Sequence, residues 1–360
     1  MKFKKNKLIV VLGMHRSGTS AITRGLQALG VNLGETLYGA MPGVNEKGFW
    51  EDIHVNTLNV EMLGAIESDW AHVSAISEND VKKLHDQGYF LRATELLGKK
   101  VNISPIFAFK DPRVAKLMPF WREVFANSQF DVSYVLAIRN PRSVAMSLMK
   151  RDGLDAEQSY LLWMSHVLTS LTFSADNNRV LIDYDRLMQS PDHELCRIAN
   201  GLGLEVNSTE LQRYKSEFLE GGLRHTVYNL NDLLLDTACP QIVREIYPAL
   251  LEVASDRSGF DALKVKVAQW TEEFERLKSP LMLIDKLILH RSLINQKITD
   301  HDSQIASLNQ AITERDNQIV TLNQAITEHD SQIGNLNQVI TNRDSQIVNL
   351  HNSILEYRSS

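Results

Sequence analysis

Short apolar runs alternate with stretches of helical periodicity over the first two thirds of the chain. Leu8–Leu12, Ile106–Phe109, Val132–Ile138 and Val180–Ile182 have the length and β-branched content of strands. Nearly continuous apolar strands separated by helices predict a mostly parallel sheet covered on both faces. Helices are predicted near 54–66, 79–97, 114–126, 142–151, 156–175 and 192–201. After the first strand, Ile22, Leu26 and Leu29 share a helical face, and Gly30 is placed to stop that helix. The expected fold is α/β, a P-loop-like three-layer arrangement around a mostly parallel sheet.

From about residue 240 the strand signal stops, and past Pro280 a repeat takes over, beginning "DSQIASLNQAITER". Isoleucine recurs every seven residues from Ile298 to Ile354, with Leu308, Leu322, Leu336 and Leu350 four residues before alternate isoleucines. This is the a/d seam of a coiled coil, with Arg315, His329 and Arg343 at intervening d positions. One helix cannot bury so narrow a stripe, so a homo-oligomer or docking to another coiled-coil protein is expected, with strand number and partner open. The expected organisation is a catalytic domain at 1–235, a helical extension or linker at 236–290, and the heptad repeat at 291–360.

Composition narrows the classes. A formal charge of -6 argues against a nucleic-acid surface, and the lysines at 2, 4, 5 and 7 read as a solvated terminus. Those lysines before Leu8–Leu12 imitate a signal peptide, but the apolar run is short and meets His15 and Arg16 without a cleavage site. Cys196 and Cys239 lack metal spacing, so a reducing cytoplasm is expected and no zinc site. No apolar stretch approaches the length of a membrane span.

The chemistry concentrates in "GMHRSGTS", Gly13 to Ser20, at the junction of the first strand and the first helix. Its glycines have Walker-loop spacing, but Thr19 stands where the lysine belongs. Loop amides and a helix N-terminus still bind an anion, and Arg16 supplies the charge as a planar, bidentate donor. The strand Val132–Ile138 ends in Arg139 rather than the acid a magnesium-dependent Walker enzyme needs. A metal-free anion site follows. Asn140 is placed to cap the next helix, Pro141 suits its first position, and Ser147 lies further along it. Arg16 and Arg139 are thus expected at opposite ends of one doubly phosphorylated nucleotide.

These residues resemble the sulfotransferase superfamily, whose donor is 3′-phosphoadenosine 5′-phosphosulfate (PAPS). The resemblance covers roughly residues 8–235. "GMHRSGTS" is similar to the loop that binds the 5′-phosphosulfate, which implies cofactor contacts for His15, Arg16, Ser17, Gly18, Thr19 and Ser20. Arg139 and Ser147 match the family's arginine and serine on the 3′-phosphate. "VLIDYDRLMQSP" resembles a later family strand, and "FAFKDPR" and "GFWED" are most similar to bacterial, tyrosylprotein and carbohydrate members. The chain has no clear Arg-Lys-Gly element, and Arg224 in "GGLRHT" is the stand-in for the 3′-phosphate. The implied reaction is in-line, metal-free sulfuryl transfer to an acceptor hydroxyl, on a carbohydrate or polysaccharide by analogy.

The acceptor must lose a proton, so a base near the sulfur is needed. The resemblance puts Glu51 first, with Asp52, His54 and Glu46 as alternatives, while a plain helix-capping role for Glu51 stays open. Lys110, Asp111 and Arg113 are candidates for contact with sulfate or an anionic acceptor, or else an Asp111–Arg113 pair shapes the turn at Pro112. His166, on an apolar helix with Trp163, reads as a core residue. A kinase-like nucleotide enzyme and a non-catalytic coiled-coil scaffold are the competing classes.

Overall fold

The computed structural model describes residues 5–41, 45, 47–219 and 227–359, with side chains described as far as 355. Four parallel strands, β1 (Lys7–Leu12), β2 (Ile106–Lys110), β3 (Asp131–Ile138) and β4 (Asn178–Asp183), form one sheet in the order β2-β1-β3-β4. All four fall where the apolar runs placed them. β1 is flanked on both edges, with Val10 opposite Phe109 on one side and Tyr134 on the other. Its alternate residues serve two cores. Leu8, Val10 and Leu12 join Phe107, Phe109, Tyr134 and Leu136 on one face, whereas Ile9 and Val11 join Ala108, Val135 and Ile182 on the other. Burial on both faces is why the strand reads as an unbroken apolar run rather than an alternation.

Fifteen α-helices accompany the strands among the described residues. α1 (Thr19–Leu26) follows β1, and α2 (Ile53–Ala65), α3 (Glu78–Asp86) and α4 (Tyr89–Val101) precede β2. α5 (Pro112–Lys116) and α6 (Met118–Asn127) lead to β3, and α7 (Pro141–Asp152) and α8 (Ala156–Phe173) to β4. α9 (Tyr184–Gln189), α10 (Pro191–Leu202), α11 (Ser208–Arg213), α12 (Leu230–Leu234), α13 (Gln241–Ala254), α14 (Lys264–Arg276) and α15 (Lys278–Ser359) complete the chain. Two of the predicted helices are each split. The 79–97 segment breaks at Gly88, whose left-handed backbone (φ 80°) caps α4, and the 114–126 segment breaks at Leu117, just ahead of Pro119. The apolar spacing continues across both breaks because both pieces face the same core.

The chain divides into two compact units, Met1–Leu287 and Ile288–Ser360. Residues 236–287 therefore belong to the first unit rather than standing as a separate linker. Val243, Ile246, Leu250 and Trp270 enter the larger core, and the Tyr247 hydroxyl donates to Asp183 Oδ2 at 3.1 Å. Asp285, early in α15, accepts from the Val73 and Ser74 amides at 2.6 and 2.9 Å. In the second unit every described side chain from Leu289 onward is exposed, including Ile298, Ile312 and Ile326 on the apolar seam. Among the described residues no helix is long and apolar enough to cross a membrane.

Asp183 ends β4, caps α9 through the Arg186 amide, and is 2% exposed. Burial pushes its carboxyl up to about 6, against the lowering effect of the Arg186 amide. The folded chain thus holds this proton more tightly than the unfolded chain, and the stability it contributes is lost as pH rises through about 6. Asp183→Asn, which cannot titrate, should gain stability relative to the parent between about pH 4 and pH 6.5. Urea denaturation across that range reads the difference, and a pH-independent gap would refute it.

Candidate functional site

All four strands deliver a side chain to one cleft at their carboxyl ends. The loop after β1 brings His15 and Arg16, β2 ends in Lys110, β3 is followed by Arg139, and β4 by Tyr184, all lining a cavity of about 580 Å³. The chain runs from β1 to β2 on one side and then to β3 on the other, so the cleft sits at the topological switch point, where open α/β sheets bind ligands. Gly13 and Gly18 are required by close approach. A Cβ on Gly13 would lie 2.7 Å from the Ala137 carbonyl oxygen, and one on Gly18 2.1 Å from the Tyr184 ring. Gly18 also has φ 80° and leaves α1 with no side-chain N-cap. The N-terminus of α1 opens toward the cleft, with Gly18, Thr19, Ser20 and Ala21 among the lining residues.

The two halves of the expected nucleotide site meet directly. Arg16 Nε donates to Ser147 Oγ at 2.8 Å, and Arg139 Nη1 donates to the Arg16 carbonyl at 3.2 Å. Arg16 holds the left-handed conformation (φ 68°), a strained backbone for a non-glycine residue that these two contacts lock in place. The Arg139 guanidinium lies 4.9 Å over the Tyr184 ring, and its carbonyl accepts from Trp163 Nε1 at 3.2 Å. Asn140 caps α7 as expected, accepting from the Arg142 amide, with Pro141 in the first turn.

The loop residues divide. Arg16, Gly18, Thr19 and Ser20 line the cleft, and Ser20 Oγ donates to the Phe49 carbonyl at 3.0 Å, tying Phe49 to the loop. His15 lines it too, packed 4.7 Å from the Trp70 ring. Burial first, then Arg113 and Arg151, hold the His15 pKa well below its ordinary value, so it is a neutral ring wedged behind the loop. Ser17 departs from the expectation: it is fully buried behind the cleft lining, and its amide is spent on the Met14 carbonyl at 3.1 Å. Arg224 and Glu46 lie outside the described residues. His166 is a core residue, its Nδ1 bonded to the Leu162 carbonyl at 2.8 Å.

Of the described base candidates only Glu51 reaches the cleft. It does not cap α2, since Asp52 does, accepting from the His54 and Val55 amides. Asp52 is fully buried and paired with Lys100, and His54 is on the exposed side, bonded to Thr36. Glu51 Oε1 accepts from Lys110 Nζ at 2.7 Å and Oε2 from Asn56 at 2.8 Å, with Arg113 3.9 Å away. Lys110 is only 2% exposed, so this pair is desolvated and each charge depends on the other. Lys110 and Arg113 line the cleft, whereas Asp111 stands behind it as the cap of α5, paired with Arg113 at 3.0 Å and bonded by Asn59. Burial, reinforced by Glu51, raises the Asp111 pKa.

Among the described residues, seven cationic side chains line the cleft against Glu51 and Asp152. Burial first, then Arg151 and Arg139, lower the Arg16 pKa, which means that cations crowd one another in a desolvated space. An anion relieves that crowding. Several lining residues escaped the sequence reading. Arg151 follows Ser147 by one helical turn on α7, a spacing that was there to be used. Trp70, whose ring lies 5.6 Å from the Arg151 guanidinium, carried no local signal, and Tyr184 stood only within the "VLIDYDRLMQSP" resemblance, with no role assigned.

The parallel sheet, the lysine-free glycine loop and the arginine after β3 define an α/β protein with a cation-lined cleft at its switch point. Residues 9–208 match the model of the Sulfotransferase family, more than half of the chain, and the chain belongs to that family. It is similar to two relatives each described as a "putative protein-tyrosine sulfotransferase". The one from Caenorhabditis briggsae is 26% identical over 157 residues, 41% of this chain and 53% of the relative. The one from Caenorhabditis elegans is 27% identical over 154 residues, 40% and 56% respectively. The chain spans about half the length of these curated relatives. Among solved structures, the sulfotransferase domain from the Curacin biosynthetic pathway is 17% identical, with a TM-score of 0.38, covering 71% of this chain and 99% of that one.

The Gly18–Tyr184 contact is open to a direct check. Gly18→Ala should cost about 1–3 kcal/mol through overpacking and a positive φ. Adding Tyr184→Ala should recover the steric part, which a strictly additive double mutant in chemical denaturation would disprove.

Proposed function

We propose that the chain is a sulfotransferase that moves a sulfuryl group from PAPS to an acceptor hydroxyl. The observation that carries this reading is the meeting of Arg16, Ser147 and Arg139 at the β1/β3 switch point, at the N-terminus of α1. PAPS, when bound, supplies the activated sulfuryl group, and adenosine 3′,5′-bisphosphate leaves. The loop amides and the Thr19 hydroxyl hold the phosphosulfate, and Ser20, whose hydroxyl is donated to Phe49, contributes its amide at the N-terminus of α1. Arg139 and Ser147 hold the 3′-phosphate, and because Ser147 Oγ accepts from Arg16, its own O–H is left to donate to an anion. Arg16 neutralises the charge that grows on the leaving oxygen.

Glu51 takes the acceptor proton as the new oxygen–sulfur bond forms and the sulfur–oxygen bond to the phosphate breaks. Lys110, donating to Glu51 Oε1, holds that carboxylate in position. Lys110 and Arg113 also bear on the transferred sulfuryl oxygens or on an anionic acceptor. Lys150, Arg151 and Lys47 extend the positive lining, which favours an acceptor that carries negative charge. A carbohydrate hydroxyl is the acceptor the sequence suggested, and the relatives described as protein-tyrosine sulfotransferases support a second reading, a tyrosine hydroxyl. The free Cys196 and Cys239 suit a reducing compartment such as the cytoplasm.

Calorimetry with adenosine 3′,5′-bisphosphate in EDTA should show binding, weakened about tenfold or more by Arg139→Ala. Binding that needs magnesium and prefers ATP would overturn the proposal. With labelled PAPS and a panel of acidic polysaccharide fragments and tyrosine peptides, Glu51→Gln should lower turnover by roughly 10²–10⁴-fold while leaving bisphosphate affinity intact. Full turnover in that variant would remove Glu51 from its role, and the productive half of the panel names the acceptor.

A further inference from the structure

We propose that residues 291–359 pair with the same segment of a second copy of this chain as a parallel, in-register, two-stranded coiled coil. Isoleucine at every a position from Ile298 to Ile354, with leucine at alternate d positions, is the pattern that favours two parallel strands. In the single helix that seam is bare: Ile305 is 54% exposed and Leu322 62%. The choice of a second copy rests on the charges beside it.

The d position alternates between leucine and a basic or titratable residue, so the true period is fourteen: His301, Arg315, His329 and Arg343 interleave with the leucines. The e position changes in step. It is Asp302, Asp316, Asp330 or Asp344 after each of those residues, and Asn309, Asn323 or Asn337 after a leucine. Neighbouring positions point about 100° apart on a helix, so d and e of one chain do not face each other. Among the described residues these four aspartates, Arg315 and Arg343 make no ion pair. In a parallel pair the d side chain enters a hole that includes the partner's e residue, which brings Arg315 to Asp316 and Arg343 to Asp344 of the second copy. The g positions that flank Asp316, Asp330 and Asp344 across the seam are Ala311, Ala325 and Val339, which offer no competing cation.

The same alternation sets the register. A slip of seven residues puts each arginine against leucine and asparagine and strands each aspartate, while a slip of fourteen gives up a whole repeat of apolar layers. A partner of different sequence would have to reproduce this alternation, which a second copy does by construction.

Sedimentation equilibrium on the full chain is expected to give twice 40.8 kDa. Leu336→Cys in a Cys196→Ser background is expected to form a disulfide between identical positions under mild oxidation. Asp316→Arg with Asp344→Arg should weaken the dimer at least about tenfold, and adding Arg315→Asp and Arg343→Asp should restore it. A single-chain mass at micromolar concentration, a mass of three or more chains, or failure of the Leu336→Cys variant to cross-link would overturn the parallel dimer. Unchanged affinity in the aspartate variant, or no rescue by the swap, would overturn the cross-strand pairing.

Discussion

The hydrogen bond from Arg16 Nε to Ser147 Oγ joins the loop after β1 to the helix after β3 across the switch point of the sheet. The rest of the cleft depends on how closely those two segments approach. Gly13 has no room for a Cβ beside the Ala137 carbonyl, and Gly18 none beside Tyr184, so both close contacts fall on glycine. Arg139 then reaches back to the Arg16 carbonyl while stacking on Tyr184, and one strained residue is held from both ends. That bracing turns a flexible loop into a preorganised donor set at the N-terminus of α1.

Charge is the second constraint. The chain carries a formal charge of -6, yet among the described residues its cleft gathers seven cations around two carboxylates. Removing such groups from water costs free energy unless opposite charge replaces the lost solvation. Glu51 does this for Lys110, and Asp152 for Arg151, at 2.7 Å in each case. The excess of cations over carboxylates in the lining is what an entering anion would balance. The Glu51–Lys110 pair is thus part of the packing as well as part of the proposed chemistry.

Much of this was legible in short windows of sequence. The strand, the glycine spacing, Arg16, Arg139, the Asn140–Pro141 helix start and Ser147 belong to local turns and caps, whose conformation is set within a few residues. Glu51 was legible only through resemblance; of its alternatives, Asp52 is the cap of α2, His54 is on the exposed side, and Glu46 lies outside the described residues. Trp70 was not legible at all, and Tyr184 only as part of a motif without a role, because what places them is packing between elements far apart in the chain. Ser17 and Asp111 sit in the expected motifs, but the Ser17 amide is spent on a backbone turn and the Asp111 carboxylate caps α5, pairings that the sequence did not show.

The four strands, the glycine loop after β1, the arginine after β3 and the fourteen-residue alternation at the seam can all be read from the sequence, since each follows from periodicity or local stereochemistry. Only the tertiary structure decided that Arg16 and Ser147, 131 residues apart, share a hydrogen bond, that Glu51 rather than its neighbours faces the cleft, and that residues 236–287 pack into the first unit. The physical reason is the same in each case. Local pattern fixes which side of an element is apolar and where it starts, whereas which polar groups meet in the space left between elements depends on close packing of the whole core.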